Sequence, residues 1–132
     1  MKKNKILILL FAIVMLFSVT ACGNKSETED GYNKITSEEA KAIIDSEEDV
    51  IILDVRTKEE FDGGHIENAV LLPNTEIKDK VEELIPDKDA KILVYCRSGN
   101  RSASATKDML EIGYTNVYDF GGIVDWEYET VT

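Results

Sequence analysis

The stretch Lys91-Ile92-Leu93-Val94-Tyr95-Cys96-Arg97-Ser98-Gly99-Asn100-Arg101-Ser102 decides how the rest of the chain is read. Residues 92–95 form a short apolar and aromatic run, the pattern of a buried strand, and the residues from Ser102 onward read as a helix. Cys96 stands at the hinge between them. A strand ending in a cysteine, then a small polar loop with one glycine and two arginines, then a helix start, is a device for stabilising a thiolate. The loop amides and the helix N-terminus bring partial positive charge, and Arg97 and Arg101 bring full charges. A lone cysteine is more often an inert buried thiol. Such a thiol needs neither the arginines nor a turn at Gly99, so the loop reads as a nucleophile in an anion cradle.

Working outward, residues 50–55 (Val-Ile-Ile-Leu-Asp-Val) are a continuous apolar run broken by one aspartate, as in a strand buried on both faces of a parallel sheet. Asp54 and Arg56 fall at its C-terminal end, the edge where open α/β sheets bind ligands. Thr36 with Glu39, and Thr57 with Glu60, are capping-box signatures that start two helices, the second broken by Gly63-Gly64. Residues 69–72 read as a short strand closed by Pro73, and residues 76–85 as a helix that Pro86-Asp87 ends. Ala103, Thr106, Met109 and Leu110 give the helix after the central loop its inner face, with Gly113 as its stop. Residues 116–118 read as a last strand, after which Gly121-Gly122 leads to one helical turn that docks Trp126. Strand and helix alternate throughout, which predicts a parallel or mostly parallel sheet with helices on both faces.

The chain has 132 residues, room for one domain of ordinary size. Its first third is set apart. Lys2, Lys3 and Lys5 precede an unbroken apolar run over residues 6–17, followed by Ser-Val-Thr-Ala-Cys at 18–22. That run is short of the roughly 20 residues a spanning helix needs, and the layout is that of a secretory signal over residues 1–21. Val19-Thr20-Ala21-Cys22 resembles a bacterial lipobox. The resemblance implies cleavage before Cys22, lipid on that cysteine, and a protein anchored outside the cytoplasm to the bacterial cell membrane. Residues 22–33 are polar and charged and read as a flexible tether, with the domain occupying 34–132.

The formal charge is −11 over the whole chain, and more negative without the three leading lysines. Such a surface disfavours nucleic acid. Against it, Arg97 and Arg101 form a local basic site. With Cys22 committed to lipid, Cys96 has no internal disulfide partner. No histidine or cysteine cluster has metal-ligand spacing, and nothing calls for a cofactor.

Taken together, the chain resembles a single-domain rhodanese, a sulfurtransferase family. The resemblance rests on Asp54-Val55-Arg56, Glu60-Phe61, Gly64-His65-Ile66, Ala69, Pro73, the run 95–102, Gly113-Tyr114, Asn116-Val117, Gly121-Gly122 and Trp126, in order across residues 34–128. It implies a central five-stranded parallel sheet flanked by helices on both faces. It also implies that Cys96 takes the outer sulfur of a small sulfur-containing anion such as thiosulfate, or of a persulfide or polysulfide, and passes it to a thiol or cyanide-like acceptor. Within that reading Arg97, Ser98, Gly99, Asn100, Arg101 and Ser102 cradle the anion, with both arginines orienting the donor. Arg56 pairs with Glu60, and Asp54 is a candidate acceptor for a bond from the active loop. His65 belongs to a structural turn. The chain stops at Thr132, where many rhodaneses continue into a longer helix and tail, which leaves closure of that side open.

Two rivals are weaker. Tyrosine phosphatases place five residues between cysteine and arginine, and four separate Cys96 from Arg101, so the loop is short for phosphate. A catalytically silent, membrane-tethered binding module keeps the fold, but inactive relatives usually lose the cysteine that this chain retains. Nothing demands more than a monomer.

Overall fold

The computed structural model describes residues 32–132; the expected signal segment, Cys22 and all of the expected tether except its last two residues lie outside them. Five parallel strands form one sheet: β1 (Asn33–Lys34), β2 (Ile51–Asp54), β3 (Val70–Leu71), β4 (Ile92–Cys96) and β5 (Val117–Gly122), in the order β1-β5-β4-β2-β3. The helices are α1 (Ser37–Ser46), α2 (Lys58–Asp62), α3 (Ile77–Leu84) and α4 (Asn100–Ile112), with 3-10 turns at Asn74–Glu76 and Ile123–Asp125. Among the described residues no helix is long and apolar enough to cross a membrane.

The period-2 geometry of the strands sorts the core into two layers. Leu53 of β2 and Ile92, Val94 and Cys96 of β4 pack with Ile77, Val81, Ala105 and Met109 of α3 and α4. Ile52, Leu93 and Tyr95 point the other way, onto Ala40 of α1, Phe120 and Trp126. The nucleophile candidate is thus on the α3/α4 face, at the carboxyl end of the central strand.

Both predicted helix starts are present. At α1 the box is complete: Thr36 Oγ1 accepts the Glu39 N–H at 3.1 Å and Glu39 accepts the Thr36 N–H at 2.8 Å. At α2 it is half made, since Thr57 accepts the Glu60 N–H but the Glu60 carboxylate takes the Thr57 hydroxyl at 3.3 Å and a further partner, and not the Thr57 N–H. The fifth strand is β1, which lies partly in the stretch read as tether and pairs Asn33 and Lys34 with Tyr118 and Asp119. β5 also runs further than read, through Gly121-Gly122. The open C-terminal side is closed by backbone bonds in both directions between His65 and Val131, each 2.8 Å. Trp126 packs on Phe120 and Tyr128 beside it.

Candidate functional site

β4 delivers Cys96, and the chain turns at once through Arg97, Ser98 and Gly99 into α4. The turn needs a left-handed residue, and Gly99 has φ +107°. α4 has no side-chain cap, so the N–H groups of its first turn, together with those of the loop, remain to serve the sulfur. Gly99 N–H reaches Cys96 Sγ at 3.0 Å, and the Ser102 hydroxyl oxygen lies 3.6 Å from it. The thiol is 1% exposed. Burial pushes its pKa up, but the Ser102 hydroxyl and the amides of Ser102, Gly99 and Ser98 outweigh burial and hold it below the ordinary thiol value. Stabilisation comes from fixed dipoles aimed at one atom, the arrangement of an oxyanion hole.

The cradle is held from β5. Cys96 pairs with Gly122 across a register shift, and Val124 N–H donates to the Arg97 carbonyl at 3.2 Å. Gly122 is required by contact: its φ is −121°, but a Cβ there would lie 2.0 Å from the Arg97 oxygen and 2.7 Å from Ser98 Cα.

The arginines pair differently from expectation. Arg56 donates from Nη2 to Asp54 and to the Gly64 carbonyl, both at 2.7 Å, and its guanidinium stands 5.6 Å from the Tyr95 ring centroid. Asp54 is two residues back in an extended segment, on the same side of the chain, so it fills the fork before Glu60 can. The bonds of Asp54 run to Arg56 and not to the loop of 97–102. Glu60, one turn into α2, faces the start of α4 and takes Arg101 in two bonds of 2.7 and 2.9 Å. This bridge lowers the Glu60 pKa to about 2, with burial opposing it. A depressed carboxyl stabilises the fold above its unfolded value, and that contribution is lost as pH falls toward about 2. Arg101 is thereby occupied, whereas Arg97 is exposed and has no side-chain partner among the described residues. Arg97 lines a groove of about 530 Å³ with Arg56, Glu60, Gly64, Trp126 and Tyr128.

Ser98 and Asn100 are exposed on the loop, and Ser102 is buried beneath it. His65 is a turn residue, bonded through Nδ1 to the Phe61 carbonyl and stacked on the Phe61 ring. Among the described residues no group of three or more His, Cys, Asp or Glu could hold a metal ion. Sequence reasoning placed Gly122 in a turn and in the family match without a role in the site, and assigned no role to Asp119 or Tyr32. Asp119 carries the same signal as Asp54, a single acid in an apolar strand; Tyr32 falls in the stretch read as tether.

Comparison with known proteins agrees with this geometry. The family model described as "Rhodanese-like domain" matches residues 36–129. The chain is 36% identical over 73 residues to the thiosulfate sulfurtransferase PspE of Escherichia coli, covering 55% of this chain and 70% of that one. It is 37% identical over 95 residues to a sulfurtransferase of Allochromatium vinosum, covering 71% and 87%. Among solved structures, an E. coli rhodanese described as "with anions" superposes with a TM-score of 0.59 at 32% identity, covering 63% of this chain and 98% of that one.

Proposed function

Because the chain belongs to the rhodanese-like domain family, whose relatives named above are sulfurtransferases, we propose that it moves a sulfane sulfur from thiosulfate or a persulfide or polysulfide to a thiophilic acceptor through Cys96. The observation that carries this reading is the placement of Cys96 Sγ under the Gly99 amide at 3.0 Å, in a cradle that favours the thiolate. The thiolate attacks the outer sulfur of the donor. With thiosulfate, the S–S bond breaks and its electron pair leaves with sulfite, while Cys96 becomes a persulfide. A thiolate or cyanide then attacks the outer sulfur of that persulfide and returns Cys96 as thiolate. Both leaving groups are anions, and the loop amides meet the charge as it shifts. The E. coli structure whose description names anions supports an anionic ligand here. Mass spectrometry of the full chain after exposure to thiosulfate is expected to find one added sulfur on the Cys96 peptide. Absence of that sulfur, with thiosulfate still consumed, would sink the reading.

The free guanidinium of Arg97 makes it the donor-orienting residue of the pair. Arg97→Ala is expected to raise the thiosulfate KM about tenfold with kcat little changed, the mark of lost uniform binding. Arg101→Ala leaves Glu60 without its partner and is expected to lower the thermal midpoint more than it raises KM. Equal KM effects in the two variants would assign donor binding to both arginines. The basic start, apolar run and Val19-Thr20-Ala21-Cys22 support the same chemistry taking place outside the cytoplasm, on a protein held to the membrane by lipid on Cys22.

A further inference from the structure

Asp119 is a charged residue in an apolar strand, 1% exposed, and both its oxygens are in use. Oδ1 accepts the Gly121 N–H at 2.9 Å, and Oδ2 accepts the phenol of Tyr32, just ahead of β1. Gly121, at φ +86°, presents its carbonyl 3.3 Å from the Ser102 hydroxyl, which lies 3.6 Å from Cys96 Sγ. Polar contacts on either side of the Gly121 backbone therefore join Tyr32 to Cys96. Tyr32 precedes the matched residues 36–129, so its end of the link lies outside the family match.

We infer that Tyr32 is a positioning residue for Cys96: by satisfying Asp119 it holds the Gly121 turn, and through it keeps the Ser102 hydroxyl where its proton can turn to the thiolate. The inference rests on Cys96 being the nucleophile. The Ser102 hydroxyl has one proton and three acceptors in reach: the Gly99 carbonyl at 3.0 Å, the Gly121 carbonyl and the sulfur. While Cys96 is neutral, its S–H can donate to Ser102 Oγ and the hydroxyl proton rests on a carbonyl. Once Cys96 ionises, the proton is better placed on sulfur, since a hydrogen bond to an ionised acceptor is about twice as strong as a neutral one. A contact of 3.6 Å to sulfur leaves little slack, so the exchange depends on Gly121 staying in place. Without the phenol, a buried carboxylate oxygen loses its donor, which is costly, and Asp119 reorients and draws Gly121 with it. The phenol is kept as a donor: burial, then Asp119, then the charge on Cys96 raise its pKa well above the tyrosine norm.

The other charged groups around Cys96 are Arg97 on its loop, Arg101 with Glu60 reaching in from α2, the Asp54–Arg56 pair at the end of β2, and Lys107 on α4 beyond the Tyr32 ring. Tyr32→Phe leaves all of these in place and keeps the ring near Lys107. In the full chain, the pH dependence of iodoacetamide alkylation, read on the Cys96 peptide, is expected to move its midpoint up by about 0.5 to 1 unit. The rate at neutral pH is expected to fall about fivefold, the weight of one hydrogen bond. An unchanged or lower midpoint overturns the inference, even if the thermal midpoint falls, because that would leave Tyr32 a packing role alone. Alkylation involves no sulfur transfer. A chain that forms no persulfide yet shows the shift refutes the proposed function and retains the positioning role, and persulfide without the shift does the reverse.

Discussion

Gly122→Ala is expected to lower kcat for sulfur transfer by about 10²-fold, the cost of moving catalytic donors by roughly 1 Å. The added methyl would stand 2.0 Å from the Arg97 carbonyl oxygen and 2.5 Å from its carbon, both backbone atoms that cannot swing aside. Relief requires moving the loop off β5, which also breaks the bond from Val124 to Arg97. The Gly99 amide then no longer points at Sγ. Overpacking of this kind costs about 1–3 kcal/mol of stability as well, readable in a denaturant titration. Gly121→Ala is the informative contrast: its Cβ meets nothing within 4 Å, so it carries the strain of φ +86° without the collision. Activity in Gly122→Ala close to that of the parent would show that the contact does not hold the cradle.

The second large effect is on stability. Asp54→Ala is expected to cost about 3–5 kcal/mol, because it strands a buried arginine without its counter-charge. Asp54 is fully buried and Arg56 is 5% exposed. The aspartate takes the Arg56 backbone N–H at 2.9 Å as well as the guanidinium, so its loss also frees the turn into α2. Replacing both members, as Asp54→Ala with Arg56→Met, is expected to recover part of the loss, since the desolvation cost leaves with the charges. Urea unfolding of the two variants measures this. A single variant within 1 kcal/mol of the parent would mean that Arg56 finds other acceptors or reaches water.

Much of this arrangement is legible in the sequence because it is local. Thr36 and Thr57 sit three residues from the groups they cap, and the runs around Leu53 and Val94 are short, apolar and rich in β-branched residues, the profile of buried strands. The hinge at Cys96 is equally local. β1 escapes because two residues have no periodicity to read; it is held by its register with Tyr118 and Asp119. The arginine pairing escapes for a related reason. Glu60 and Arg101 are 41 residues apart, and which acid an arginine takes is set by how α2 and α4 approach each other. The resemblance supplied the number of strands correctly and the partner of Arg56 wrongly, since strand number belongs to a family and an ion pair to individual side chains.

The strand order β1-β5-β4-β2-β3 has a consequence for the timing of motion. Proteins open from their edges inward, and the free energy of opening rises toward the global value at the centre of a sheet. Cys96 ends the middle strand, so that strand is expected to open only at close to the global free energy. β1, two residues long at one margin, is expected to open and re-form many times in the lifetime of the folded molecule. Tyr32 is expected to leave and return with it, so the Ser102 contact to Cys96 is renewed on the fast clock of the edge while the strand beneath keeps the slow one.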